Sequence, residues 1–294
     1  MTARDRVDSD QNQLPETPPR KSGGGFGDLG PRVLSALVLV AAALGSLYVG
    51  GDAFGLFWLA AAVAVNWEWQ ALTGGERRVA RTIAGGAALA AAAALARTGF
   101  PGVAALEVLV FAAICAILAG RGARLWAAGG VVYAGALIVS VCVLRESLVI
   151  GAVAIGWLFA LVWGTDIFAY FGGRLVGGPK LWPRVSAGKT WSGTIIGVLS
   201  GALLGALTVK YFLPQAHGVT LFAVTLVAAA LSQAGDLFES SIKRRFGVKD
   251  SSQLIPGHGG AMDRLDGFIF ASGFAALLGV LRDADVPAAG LFFW

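Results

Sequence analysis

Long, nearly uninterrupted apolar runs recur along the chain, and they constrain its fold more than any other feature. A hydrocarbon core about 30 Å thick is crossed by about 20 apolar residues in a helix. Nine segments approach that requirement: 32–50, 53–72, 80–96, 102–119, 125–144, 149–172, 192–212, 219–239 and 267–281. The runs are continuous rather than alternating, which argues against a transmembrane β-barrel. Only 14% of the residues are charged, against about 25% in a typical soluble domain. That deficit argues against a water-soluble globular enzyme and against a disordered chain. The expectation is an all-α, polytopic helical bundle in a membrane, with about nine spans. The third run, with its Ala90–Ala94 tract, is the weakest. Only Gly50-Gly51-Asp52 separates the first two, which also fit a re-entrant hairpin.

Residues 1–31 are polar, with Pro15, Pro18, Pro19 and a run from Gly23 to Gly25. They read as a disordered tail without the apolar region of a cleavable signal peptide. Residues 32–148 hold about five spans. Residues 149–294 hold the rest, with two polar loops, 173–191 and 240–266. Placing the N-terminus in the cytoplasm puts nineteen of the 23 Lys and Arg on the cytoplasmic side. Only Arg97, Arg145, Lys210 and Arg282 fall opposite. Lys and Arg resist translocation, so this asymmetry supports an N-in, C-out topology. It also explains the net charge of +5 without nucleic acid as a partner. Cys115 and Cys142 lie in apolar runs and read as packing residues. Glu68 and Glu107 lie within spans, and the sequence names no partner for either.

The remaining acids converge on one side of the bilayer. Asp166 lies near the cytoplasmic end of the sixth span. Asp236 and Glu239 close the eighth, and Asp263 and Asp266 precede the ninth. Ionisable groups at membrane depth face a polar cavity or a partner. Interfacial salt bridges account for any one of them; the set points to a site. Asp236, Glu239, Ser240 and Lys243 share one face if the eighth span continues as a helix. Clustered oxygen ligands suit Mg²⁺, which binds one or two carboxylates and leaves the rest of its sphere to water and phosphate. Gly257-His258-Gly259-Gly260 can form a backbone N–H nest for an anion. His258 serves as a phosphate donor, a general acid or a metal ligand, with the first preferred. Gly188-Lys189-Thr190 looks like the end of a P-loop, but Pro183 stands where the pattern needs Gly, and no strand is expected before it. The pattern suggests metal-assisted chemistry on a phosphorylated lipid. A transporter for an anionic solute is the other reading; it is disfavoured because no internal repeat is visible.

The stretch from Ser241 to Asp266 closely resembles the signature of the phosphatidate cytidylyltransferases, or CDP-diacylglycerol synthases. Its markers are Lys243, Arg244, Lys249, Asp250, Pro256-Gly257-His258-Gly259-Gly260, Asp263, Arg264 and Asp266. Gly235-Asp236 through Ser240 also fits, as do Asp166, Tyr170, Gly173-Arg174, Lys180, Pro183, Ser186 and Gly188 through Trp191. The resemblance is tight over 163–267. Family members often carry an acid where this chain has Ser192. The resemblance implies the reaction of CTP with phosphatidate to give CDP-diacylglycerol and pyrophosphate, with Mg²⁺ and a second cation such as K⁺. It implies a homodimer in the bacterial plasma membrane, with the active site facing the cytoplasm. Carried over by position, Asp236, Asp263, Lys243 and Arg264 are the implied catalytic residues. Asp166, Asp236, Asp263 and Ser240 form the implied metal site. Lys189, Ser240, Arg244, Lys249, His258, Gly259 and Gly260 would bind substrate. A CTP-dependent transferase for another lipid phosphate is the alternative.

Overall fold

The computed structural model describes residues 29–294. The tail reading of 1–31 lies outside that range, apart from 29–31, which open the first helix. Nine long helices follow in order: α1 (Leu29–Val49), α2 (Gly51–Thr73), α3 (Arg78–Arg97), α4 (Pro101–Leu118), α5 (Arg124–Leu144), α6 (Ile150–Val176), α7 (Trp191–Phe212), α8 (Gly218–Arg245) and α9 (Met262–Arg282). A short α10 (Pro287–Phe292) ends the chain, and an antiparallel hairpin of β1 (Lys180–Trp182) and β2 (Ser186–Thr190) joins α6 to α7. Eight of the nine are long and apolar enough to cross a membrane. The chain is an all-α polytopic membrane bundle.

The ninth, α2, has the length but interrupts its apolar run with Asn66, Glu68 and Gln70. All three are buried. An unmatched polar group costs several kcal/mol in hydrocarbon, so this face must turn inward. Gln70 donates to the Ala127 carbonyl at 2.9 Å and accepts from Arg81 Nη1 at 2.5 Å. Asn66 donates to the Thr82 carbonyl at 3.3 Å. Around this face α5 packs on α2, α3, α4 and α9 and is the most buried of the spans; α1 is the least buried.

Three boundaries differ from the sequence expectation, for one reason. Hydropathy marks the hydrocarbon, whereas a helix continues for as long as its backbone bonds are made. Thus α8 runs on through Lys243 to Arg245, and α9 begins at Met262, shrinking the second loop to 246–261. Likewise α6 extends to Val176, which sets Asp166 deeper from the helix end than its apolar run implied. The first loop is not plain loop either: Gly188-Lys189-Thr190 lies in β2 and leads directly into α7. A short strand therefore does precede α7, but Pro183 still excludes a P-loop.

The most extensive helix–helix contact is that of α6 with α7. Gly193, Gly197, Gly201 and Gly205 recur every fourth residue on α7 and so share a face. A Cβ at Gly197 would stand 2.5 Å from the Thr165 carbonyl oxygen and 2.7 Å from Ala169 Cβ, and one at Gly193 would stand 2.6 Å from the Ala169 carbonyl oxygen. Small residues let membrane helices approach through van der Waals contact where no hydrophobic force separates lipid from Leu. This contact fixes Thr165 toward α7, and Asp166, one residue on, is exposed to the open cavity. Gly197→Val is expected to lower stability by about 1–3 kcal/mol through overpacking. Thermal unfolding in detergent checks this; an unchanged midpoint would show that the two helices are not held at this distance.

Candidate active site

A cavity of about 1100 Å³ opens between α1, α2, α6, the hairpin, α8, the 246–261 loop and α9. Its wall changes character along α6. Phe159 and Trp163 come first, stacked with ring centroids 4.8 Å apart, and Asp166, Tyr170 and Arg174 follow. Beside Phe159, Trp58 of α2 stacks on Phe268 of α9 at 4.8 Å, with its ring 6.1 Å from that of Phe159, while Asp263, Arg264 and Asp266 occupy the first turns of α9. Aromatic and aliphatic surface thus grades into a carboxylate-rich end over a few helical turns.

Two charge clusters occupy the polar end. In the first, β2 carries Lys189 across to α8, where Nζ lies 2.7 Å from Asp236 Oδ2. The same ammonium donates to Gln233 Oε1 at 3.1 Å. Gln233 in turn donates to Asp166 Oδ1 at 3.2 Å, and Ser240 Oγ donates to Asp236 Oδ1 at 3.3 Å. Thr190 caps α7 by accepting from the Gly193 N–H at 3.1 Å, which anchors the strand bearing Lys189. Ser192 Oγ donates to the Gly177 carbonyl and closes the base of the hairpin without an acid.

The second cluster lies behind the first. Lys243 Nζ sits 2.6 Å from Glu239 Oε2 and 2.5 Å from Asp263 Oδ1. Asp263 Oδ2 accepts from the Ser251 N–H at 2.9 Å and the Gly260 N–H at 2.7 Å, with Ser251 Oγ also at 2.9 Å. Side-chain exposure separates the clusters. Lys189 and Asp236 are 18% and 31% exposed, whereas Lys243 and Glu239 are 11% and 0%. The first pair is open to an incoming ligand; the second is closed.

Of the residues singled out from the sequence, Asp166, Lys189, Asp236, His258, Asp263 and Arg264 line the cavity. Ser240 joins through Asp236, and Lys243 stands behind Asp263. Arg244 and Lys249 are not brought to the cavity wall; Arg244 Nη1 donates instead to the Val248 carbonyl at 2.9 Å. His258 Nδ1 meets Ser35 Oγ of α1 at 2.8 Å, and its carbonyl accepts from Arg264 Nε and Nη2 at 3.1 and 2.9 Å. The glycine-rich turn is a nest, but the anions it holds are the chain's own. The Gly260 N–H goes to Asp263, and the next two N–H groups go to Glu68. Gly259 has φ of +82°, where L side chains are strained, and a Cβ there would stand 2.6 Å from Asp263 Oδ2.

Asp166, Asp236, Asp263 and Ser240 do not form a ready-made ligand set. Among the described residues, no three His, Cys, Asp or Glu side chains are gathered closely enough to hold a metal. The donors still fit Mg²⁺ in the form it takes with nucleotides, one or two carboxylates with water and phosphate completing the sphere. Asp236 faces the cavity as a hard oxygen donor, and Asp263 lines it too, with its two oxygens accepting from Lys243 and from Ser251 and Gly260.

The sequence reading missed Gln233, a polar residue inside an apolar run three positions before Asp236. It also set Glu68 aside, though an acid within a span was itself the signal. The burial of Lys243 between two carboxylates yields a direct test. Removing one partner of a buried ionic cluster costs about 3–5 kcal/mol because charge is left uncompensated. Lys243→Met is therefore expected to unfold at markedly lower temperature, and adding Glu239→Gln should recover part of the loss. Equal stability of Lys243→Met and the parent chain would show that the cluster is not charged as drawn.

The sequence model of the cytidylyltransferase family matches residues 30–281. The phosphatidate cytidylyltransferase of Brucella suis biovar 1 is 40% identical over 273 residues, which covers 90% of this chain and 98% of the relative. That of Brucella melitensis biotype 1 gives the same figures. The phosphatidate cytidylyltransferase of Rickettsia bellii is 43% identical over 122 residues, covering 39% of this chain and 52% of the relative. The family match extends well beyond the signature, from α1 to the end of α9, and with it the chain belongs to the cytidylyltransferase family.

Proposed function

We propose that this chain is a membrane enzyme that transfers a cytidylyl group from CTP to phosphatidate, giving CDP-diacylglycerol and pyrophosphate. The observation that carries the reading is a cavity whose wall passes from stacked aromatics to paired carboxylates and lysine. Such a wall suits one ligand with acyl chains at one end and a phosphate at the other. The names of the relatives support the same pair of substrates.

The phosphate of phosphatidate is anionic at neutral pH, so no strong base is needed to create the nucleophile. One of its oxygens attacks the α-phosphorus of CTP, the bond to the β-phosphate oxygen breaks, and pyrophosphate leaves. Lys189 is the residue poised to receive phosphate oxygens. Its ammonium sits on Asp236 in an open wall and can exchange one anion for another. Arg264, His258, Arg174 and Lys180 line the same cavity and add donors for the remaining oxygens. Asp236 and Asp263 would hold Mg²⁺, which supplies neutralisation of the phosphate charge. Phe159, Trp163, Trp58 and Phe268 keep the lipid end dry. Positioning a soluble nucleotide against a lipid headgroup is worth several kcal/mol.

The distribution of Lys and Arg supports a cytoplasmic N-terminus, with the hairpin and the 246–261 loop facing the cytoplasm of a bacterial plasma membrane, where CTP is available. Purified protein given α-labelled CTP and phosphatidate vesicles is expected to move label into lipid and release pyrophosphate, with loss of turnover on chelation of divalent cations. Consumption of CTP only with a different lipid phosphate would redirect the substrate assignment, and anion flux without turnover would overturn it. Lys189→Ala should lose about 1.5–3 kcal/mol of transition-state binding, tenfold or more in kcat/KM for CTP. Unchanged kinetics would remove Lys189 from the site.

A further inference from the structure

We propose that Glu68, on α2 and far from the signature in sequence, is a positioning residue of the active site: it holds the 251–262 turn, and through it the Asp263 carboxylate, in place. The inference rests on the reading of Asp263 as part of the transfer site.

Glu68 is fully buried, yet both of its oxygens are matched by the turn. Oε1 accepts from the Ala261 N–H at 2.8 Å and from Ser252 Oγ at 2.7 Å. Oε2 accepts from the Met262 N–H at 2.7 Å and lies 3.0 Å from Ser251 Oγ. Ser251 Oγ is also 2.9 Å from Asp263 Oδ2, so its one proton serves either carboxylate. Three successive N–H groups, of Gly260, Ala261 and Met262, are therefore divided between Asp263 and Glu68. The last two of these N–H groups open α9, whose N-terminus has no cap from its own cap residue, Ala261. The first N–H groups of a helix lack partners within it and carry its partial positive charge. Glu68 supplies both the acceptor and the negative charge from another helix. The approach is so close that a Cβ on Gly260 would stand 2.5 and 2.6 Å from the two Glu68 oxygens.

A carboxylate is required, not merely a polar side chain. Each oxygen takes one backbone N–H, and an N–H cannot reverse its role. Glutamine in either orientation presents its NH₂ to one of them. Asp263 then loses the fixed turn that orients it, whereas Lys189 and Asp236 keep their own contacts on β2 and α8. The loss therefore belongs in kcat more than in the KM for CTP.

The test compares Glu68→Gln with the parent chain by hydrogen–deuterium exchange and by steady-state transfer from CTP to phosphatidate. Exchange in 251–262 is expected to rise at least tenfold, with exchange in α4 and α5 unchanged. The kcat should fall at least tenfold while the KM for CTP stays within about threefold. Ser251→Ala should lower kcat in the same direction, and the double variant should fall short of the product of the two single effects, because both act through one turn. If Glu68→Gln does not accumulate, Ser252→Ala, which withdraws one donor from the same carboxylate, should give smaller changes of the same sign. Unaltered exchange in 251–262, or a kcat within twofold of the parent, would overturn the proposal. A parent chain that transfers nothing would instead sink the transferase reading, and the exchange data alone would then decide whether Glu68 holds the turn.

Discussion

Carboxylates gathered at the edge of a hydrocarbon phase must be compensated, and that requirement shapes this structure. Removing an ionised group from water costs several kcal/mol even after relaxation, so an uncompensated charge here would unfold the bundle or draw in a proton. The chain answers with two lysines in different surroundings. Lys243 is enclosed between Glu239 and Asp263, with little exposure to spare. Lys189 lies on Asp236 in the open wall of the cavity. The first arrangement fixes a shape. On the proposed reading the second is exchangeable: an arriving phosphate would offer Lys189 a new partner, and a divalent cation would take its place on Asp236.

The rest of the fold serves to bring these groups together. The glycine face of α7 draws α6 in at Thr165 and Ala169, and Asp166 beside them lines the cavity. Thr190 both ends β2 and caps α7, so the strand that carries Lys189 is tied to a rigid helix. The continuation of α8 past the apolar region places Lys243 two turns beyond Asp236, where it meets α9. From the other half of the chain α2 contributes Glu68, whose carboxylate closes the turn before α9. The candidate site residues of the C-terminal half are thereby keyed to the N-terminal helices by hydrogen bonds, not by packing alone.

Much of this was legible in the residues, to different depths. The apolar runs located all nine long helices because hydrocarbon thickness acts on length directly. The spacing of Asp236, Ser240 and Lys243 announced a shared helical face, and α8 does continue far enough to make it one. The ends of helices were less legible, since hydropathy stops where the membrane does and the backbone ladder does not. The hairpin escaped because its strands are three and five residues long and carry no alternating pattern. Most informative is Glu68. Its presence inside a span was visible, but its partners lie some 190 positions away, and no local pattern encodes such a pairing. The glycine-rich turn likewise read as a cradle for a foreign anion, whereas its Gly260 N–H is already committed to Asp263 and the two N–H groups that follow to Glu68.

The claim on which the whole reading turns is that Lys189 is held on Asp236 only until substrate phosphate replaces it. A structure of the chain with CTP and a divalent cation tests this most directly. Lys189 Nζ is expected to leave Asp236 for a phosphate oxygen, with Lys243 still between Glu239 and Asp263. Nucleotide bound elsewhere, with the Lys189–Asp236 contact intact at 2.7 Å, would contradict it.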